Sequence, residues 1–212
     1  MTDVKQQVNA VRRTLGDRTL EAGQARVVTL SQVYDTGLDD LWDVVTSAER
    51  IPRWFLPVSG DLVQGGRFQF EGNAGGTITS CDKPNGYAAT WEMGDQISWV
   101  EVRLVPEGAG RTRFELEHVA PVAAELWDLY GPAAVGMGWD SGFLGLANYL
   151  SGDPAAELDP RVAMAWVATA QGKEFMRLTA DAWAAAAIAY GDDPEAARAS
   201  AGRTYEAYTA TE

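Results

Sequence analysis

The sequence predicts an α+β fold in which a curved antiparallel sheet grips one long helix, with an α-helical extension following. Three observations predict it. Residues 136–150 place Trp139, Phe143, Leu146 and Leu150 at i, i+4, i+7 and i+11, one face of an amphipathic helix. Between residues 67 and 118, short β-rich runs follow one another across tight turns. That is the pattern of an antiparallel meander whose apolar face must be covered, and the long helix carries a stripe of the right length. After Gly152 the composition shifts to Ala-rich segments punctuated by Asp-Pro pairs.

Taken in order, residues 1–22 mix charge with scattered apolar positions and predict an N-terminal arm or short helix with little tertiary support. The run from Gln24 to Tyr34 is rich in β-branched residues and reads as the first strand. Thr36-Gly-Leu-Asp39 has the spacing of a capping box and opens a short helix from Leu38 to Ser47. Residues 49–55 continue as a turn or second short helix interrupted by Pro52. Arg67–Glu71 alternates with Phe68 and Phe70 inward, and Gly72–Gly76 is turn chemistry before a strand over Thr77–Asp82. In the next strand, residues 87–93, Tyr87, Ala89, Trp91 and Met93 share a face. A strand from Ile97 to Val105 turns through Pro106–Gly110 into Arg111–His118, where Thr112, Phe114, Leu116 and His118 face in and the charged set faces water.

In the long helix, Gly138, Gly142 and Gly145 each cost roughly 0.5–1 kcal/mol against Ala, so bulk is unwelcome on that side. Either a sheet lies close there or space is kept. Gly152 ends the helix. Residues 23–152 thus form one domain, and residues 153–212 a helical extension behind it. That extension begins with a linker over residues 153–160 and a helix over Arg161–Ala170, broken at Gly172. A second helix, Glu174–Tyr190, carries Phe175, Leu178, Ala182 and Trp183 on one side, and a third starts at Asp193-Pro194. Apolar faces this modest must cover the sheet domain or a second subunit, so a homodimer through these helices is one expectation.

With 212 residues, 46% of them hydrophobic, the chain can build a real core. A formal net charge of −13 argues against nucleic acid, which needs a clustered basic surface, and against anionic lipid. Cys81 is the single cysteine, so no disulfide framework exists, and its place in a strand predicts a buried, inert thiol. No secretory signal or membrane-spanning run is visible, and the expected location is the cytoplasm.

Several short motifs, taken together in order, resemble a known family. They are Val33-Tyr-Asp35, Leu41-Trp42, Glu49-Arg-Ile-Pro-Arg-Trp-Phe55, Gly65-Gly-Arg-Phe68, Gly76-Thr-Ile78, and Gly138-Trp139 followed by a Leu-rich helix ending in Ser-Gly. Over about residues 24–152 the chain resembles the SRPBCC (START-like) superfamily, and within it bacterial members of the family named after the activator of heat-shock protein 90 ATPase. The resemblance implies a helix-grip fold, a six- or seven-stranded sheet wrapped around the C-terminal helix with a hydrophobic cavity between them. It does not fix a function, because the superfamily spans lipid binders, cyclases, co-chaperones and oxygenase domains. The eukaryotic co-chaperone carries a further N-terminal domain, for which this chain has no room.

The expected function is binding of a small, mostly apolar ligand in that cavity. The residues expected to line it are Trp54, Phe70, Thr77, Trp91, His118, Trp139 and Phe143, with His118 and Thr77 orienting one polar group. Two other classes stay open. A cyclase- or hydrolase-type enzyme would use His118, the only histidine and so the only candidate general base. A co-chaperone-like interaction protein would instead have a filled cavity. No metal site is expected, because Cys81 and His118 are too few ligands for zinc. No cofactor is expected either. Gly72-Asn-Ala-Gly-Gly-Thr77 lacks the Gly-Lys-Ser/Thr ending of a phosphate loop, and neither a dinucleotide fingerprint nor a nucleophile elbow is present.

Overall fold

The computed structural model describes residues 3–21, 23–152 and 165–210. A short helix, α1 (Val4–Ala10), leads into β1 (Arg12–Leu20) and β2 (Gly23–Tyr34), then α2 (Leu38–Thr46) and a single 3-10 turn at Ile51–Arg53. Six strands follow: β3 (Val58–Gly60), β4 (Arg67–Phe70), β5 (Gly75–Asp82), β6 (Gly86–Met93), β7 (Gln96–Pro106) and β8 (Thr112–Ala120). The chain then runs through α3 (Ala124–Tyr130) and the long α4 (Ala133–Leu150) to α5 (Ala170–Tyr190) and α6 (Pro194–Thr209). All eight strands form one antiparallel sheet in the order β1-β2-β8-β7-β6-β5-β4-β3. Its inner face, with Leu30, Val100, Val102, Phe114 and Leu116, shares one core with α2, α4 and α5.

The N-terminal segment is not an arm. Residues 12–20 pair along their whole length with β2, and Val4 and Val8 of α1 join the main core. The reading missed β1 because its sequence, Arg-Arg-Thr-Leu-Gly-Asp-Arg-Thr-Leu, is too charged to look like a strand. Those charges are matched in three dimensions. Arg18 bonds Glu101 of β7 and Glu117 of β8, Asp17 accepts from Arg26, and Arg13 turns inward to Asp140 of α4. The expected charged face of β8 is likewise a ladder of pairs, with Arg113 on Glu107 and Glu115, and Arg103 on Glu115 and Glu101. Trp99 lies on this outer face and covers a small cluster of Ala25, Val27 and Val119 with Leu20.

Other local expectations are corrected. No capping box opens α2: its cap is Gly37, and the Thr36 hydroxyl donates to the Asp40 carboxylate instead, at 2.6 Å. Gly172 does not break a helix but lies in the first turn of α5, where its N–H donates to the cap Thr169. Asp193 caps α6 as expected, accepting from the N–H groups of Glu195 and Ala196. The linker over residues 153–160 lies outside the described residues, as does the start of the helix expected over Arg161–Ala170.

The glycines of α4 also have a different explanation from a close sheet. A Cβ on Gly136 would stand 2.1 Å from the indole of Trp183 in α5, and one on Gly145 would stand 2.1 Å from the backbone oxygen of Trp54. Helix α4 is therefore enclosed from several sides, by the sheet, by the 51–55 segment and by α5, α6 and α1. The apolar face of α5, with Phe175, Met176, Ala180, Trp183 and Ala184, is buried within the same chain.

A buried polar knot joins these layers. Arg13 grips Asp140 through Nε (3.1 Å) and Nη2 (2.6 Å), and its Nη1 donates to the carbonyls of Val8 and Val11. Asp140 also accepts from the Trp183 indole at 2.8 Å. The two charged side chains are 6% and 1% exposed. Burial pushes the Asp140 carboxyl above its ordinary range, against the opposing pull of Arg13 and Trp183. Nearby, Gln7 and Gln32 bond each other reciprocally, and the Tyr34 hydroxyl bridges Gln32 to the Phe143 carbonyl.

Candidate functional site

The motif Glu49-Arg-Ile-Pro-Arg-Trp-Phe55 builds one side of a cavity. Arg50 ties α2 to α4 by donating to Asp40 and Asp43 and, through Nε, to the Tyr149 hydroxyl. Arg53 lies over the Tyr149 ring, 5.0 Å from its centroid. Trp54 donates its indole N–H to the Val44 carbonyl at 3.0 Å, while its own backbone oxygen sits against Gly145. These contacts fix the segment on α4, with Trp54 and Phe55 turned toward the sheet.

Between that segment, α4 and the β4–β8 part of the sheet lies a cavity of about 560 Å³. This falls within the range of roughly 300–1,000 Å³ typical of small-molecule sites. Its wall is aromatic: Trp42 from α2, Trp54 and Phe55, Phe68 and Phe70 from β4, Tyr87 and Trp91 from β6, Phe114 from β8 and Trp139 from α4. Several of these rings touch in sequence. Phe55 stacks on Trp139 at 6.1 Å, Trp139 meets Trp91 at 4.9 Å, and Trp91 meets Phe70 at 5.5 Å. Leu62, Val63 and Gln64 form one side of the opening, and Cys81 and Lys83 from the β5–β6 hairpin form part of the other. Among the described residues, Lys83 is the only charged side chain in the wall. Burial pushes the Tyr87 hydroxyl up to about 12, so it is a neutral donor at any ordinary pH.

Of the seven residues expected to line the cavity, the structure brings together Trp54, Phe70, Trp91 and Trp139. Thr77 is not there. It pairs with Arg67, and its hydroxyl accepts from that guanidinium on the outer face, while Gly76 and Ile78 occupy the inner positions. Phe143 is a core residue against Phe114 at 5.0 Å. His118 is buried one layer behind the wall. Its Nδ1 accepts from the Trp139 indole at 2.9 Å, which leaves the proton on Nε2 to donate to the Ser98 hydroxyl at 2.8 Å. Ser98 in turn donates to the Trp91 carbonyl at 3.1 Å. This relay uses both ring nitrogens and ties α4 to β8, β7 and β6. Burial lowers the His118 pKa to about 4, so the ring is neutral at pH 7. The arrangement positions Trp139 and offers no free base to the cavity.

Cys81 also departs from expectation, being exposed at the cavity mouth rather than buried. The bulge between Ile78 and Ser80 shifts the strand there and defeats simple alternation. Sequence reasoning did not list Tyr87 for the cavity, although it placed Tyr87 on one face with Ala89 and Trp91. Phe55 and the 62–64 loop gave no periodic signal. Among the described residues, no group of three or more His, Cys, Asp or Glu side chains is placed to hold a metal ion. Among them too, no helix is long and apolar enough to cross a membrane.

An antiparallel sheet curved around a long helix, with an apolar cavity between them, defines a helix-grip protein. A family model described as activator of Hsp90 ATPase homolog 1-like protein matches residues 35–151, more than half of the chain, and the protein belongs to that family. Among solved structures, the crystal structure of CalU16 from Micromonospora echinospora is similar at 33% identity and a TM-score of 0.65, covering 84% of this chain and 99% of CalU16. The solution structure of CalU16 gives 34% identity and a TM-score of 0.69, with 86% and 97% covered. An HSP90 activator from Plasmodium falciparum shares the fold at 21% identity and a TM-score of 0.52, covering 60% of this chain and 97% of the activator. No curated protein matches the chain.

Proposed function

We propose that the protein binds a small, mostly apolar molecule in the cavity between the sheet and α4. The observation that carries this reading is the cavity itself: about 560 Å³, walled by aromatic side chains and open at one end. Burying apolar ligand surface there contributes about 25 cal/mol per Å² before ordering costs. The ring-to-ring contacts and the His118 relay hold the wall in place before a ligand arrives, which reduces those costs. An enzyme acting through His118 fits less well, because that ring is neutral, doubly hydrogen-bonded and outside the wall. A co-chaperone-like role is suggested by the family's description, and the open cavity favours ligand binding over it. Native and then denaturing mass spectrometry of freshly expressed protein, with titration of the neutral fluorophore Nile red, tests the proposal. The expected result is a stoichiometric small molecule released on denaturation, or a saturable blue shift of Nile red by the empty protein. The absence of both an added mass and a blue shift would sink it.

A further inference from the structure

The wall of the cavity is electrostatically one-sided. Among the described residues it contains no aspartate or glutamate, and its single charge is the Lys83 ammonium, although the protein as a whole carries a net charge of −13. Lys83 forms no ion pair among the described residues, and Asp82 beside it accepts from the Asn85 amide at 3.3 Å. The Tyr87 hydroxyl, on the wall of the same cavity, has no hydrogen-bond partner among the described residues. Both side chains come from the β5–β6 hairpin: Lys83 is in its turn, and Tyr87 is register partner to Cys81 just before it. Both therefore reach the cavity wall from the same hairpin, and the ladder of Trp139, Trp91 and Phe70 forms much of the rest of that wall.

We infer that the ligand class is a flat aromatic body carrying one acidic group, a carboxylate or an ionised phenol. This inference rests on the binding role proposed above. The ring system stacks on the Trp91 and Trp139 faces, and the acid accepts from the Tyr87 hydroxyl and pairs with Lys83 at the mouth. Aromatic faces suit a planar partner better than a branched aliphatic one, because offset stacking adds to simple area burial. A lone ammonium beside a neutral donor selects an anion over an alcohol or an amine. No proton transfer or bond change is required of the site.

Three probes of one shape test this: anthracene-9-carboxylate, anthracene-9-methanol and anthracene-9-methylamine, titrated by quenching of tryptophan fluorescence. The carboxylate is expected to bind about three- to fivefold more tightly than the alcohol, as a partly exposed ion pair allows, and the amine more weakly than either. In Lys83→Met the carboxylate-to-alcohol ratio falls to about one, and in Lys83→Glu it inverts. Tyr87→Phe weakens the carboxylate by about fivefold, the loss of one hydrogen bond to a charged acceptor. High salt narrows the ratio in the wild type but not in Lys83→Met. If the alcohol binds as tightly as the carboxylate, or the ratio survives both substitutions, the acidic class is wrong and the cavity reading stands. If none of the three probes binds the wild-type protein, both fail together.

Discussion

Removing Asp140 tests whether the buried ion pair holds the two ends of the chain against α4. Asp140→Leu leaves Arg13 Nε, Arg13 Nη2 and Trp183 Nε1 without their acceptor, and leaves a guanidinium only 6% exposed without a counter-charge. Each buried donor left unmade costs about 1–3 kcal/mol, and breaking a buried pair by deleting one partner costs about 3–5 kcal/mol in total. Arg13→Met leaves the Asp140 carboxylate buried with Trp183 as its remaining partner and frees the carbonyls of Val8 and Val11, so its expected cost is similar. The double variant, Arg13→Met with Asp140→Leu, removes both charges together. It leaves no unpaired charge but still orphans the Trp183 indole N–H and the Val8 and Val11 carbonyls, so it is expected to cost about 1–3 kcal/mol, well short of the sum of the two singles. Urea-unfolding midpoints followed by tryptophan fluorescence and circular dichroism give the full cycle, with the slope as a check on two-state behaviour. A single variant within 1 kcal/mol of the wild type, or a double variant that loses the sum of the two singles, would refute the reasoning.

Two further outcomes follow from the same geometry. Gly145→Ala puts a methyl 2.1 Å from the Trp54 backbone oxygen, so the 51–55 segment must move off α4. It is expected to cost about 1–3 kcal/mol and to weaken probe binding, whereas Gly142→Ala, which meets only the Phe55 ring at 3.4 Å, costs far less; thermal midpoints and Nile red titrations of the two, equal within error, would contradict this. His118 titrates near its ordinary 6.5 in the unfolded chain but at about 4 when folded, so the unfolded state binds the proton first as pH falls. Stability is therefore full above about pH 6.5 and is lost between there and about pH 4, by about 2 kcal/mol on going from pH 7.5 to 5. Denaturation midpoints of the wild type and of His118→Phe across that range should diverge, and parallel curves would remove His118 from the account.

The sheet and its central helix were readable because each carries a clean period: two in residues 111–118, and the i, i+4, i+7 stripe in residues 139–150. The aromatic wall was readable for the same reason, since Phe70, Trp91 and Trp139 sit at inward positions of regular elements. What escaped the reading depends on partners distant in sequence. Arg12–Leu20 is a strand because its charges find Glu101, Glu117 and Asp140 across the fold, a match that no local window contains. Thr77 was misplaced because its phase is set by pairing opposite Arg67 rather than opposite Phe68 or Phe70, and Cys81 because its strand, although on the cavity side there, ends in the open. His118 was placed facing inward correctly, but its role was set by an indole on another element. Chemistry read from residue type alone made a base of a side chain that works as a bracket.

The knot at Asp140 also has a consequence in time. Domains generally fold as units while the chain is being made, at about 5–20 residues per second. Arg13 is present from the outset and Asp140 follows more than a hundred residues later, but the indole that completes the set belongs to Trp183 in α5. Until that helix is delivered, the side of α4 bearing Gly136 is open to water and the carboxylate lacks its third donor. A chain halted after Gly152 would already have every strand and most of the cavity wall, yet would lack the element that closes over α4. Helices α5 and α6 therefore act as a lock turned after the sheet is assembled, and neither contributes to the cavity wall described above.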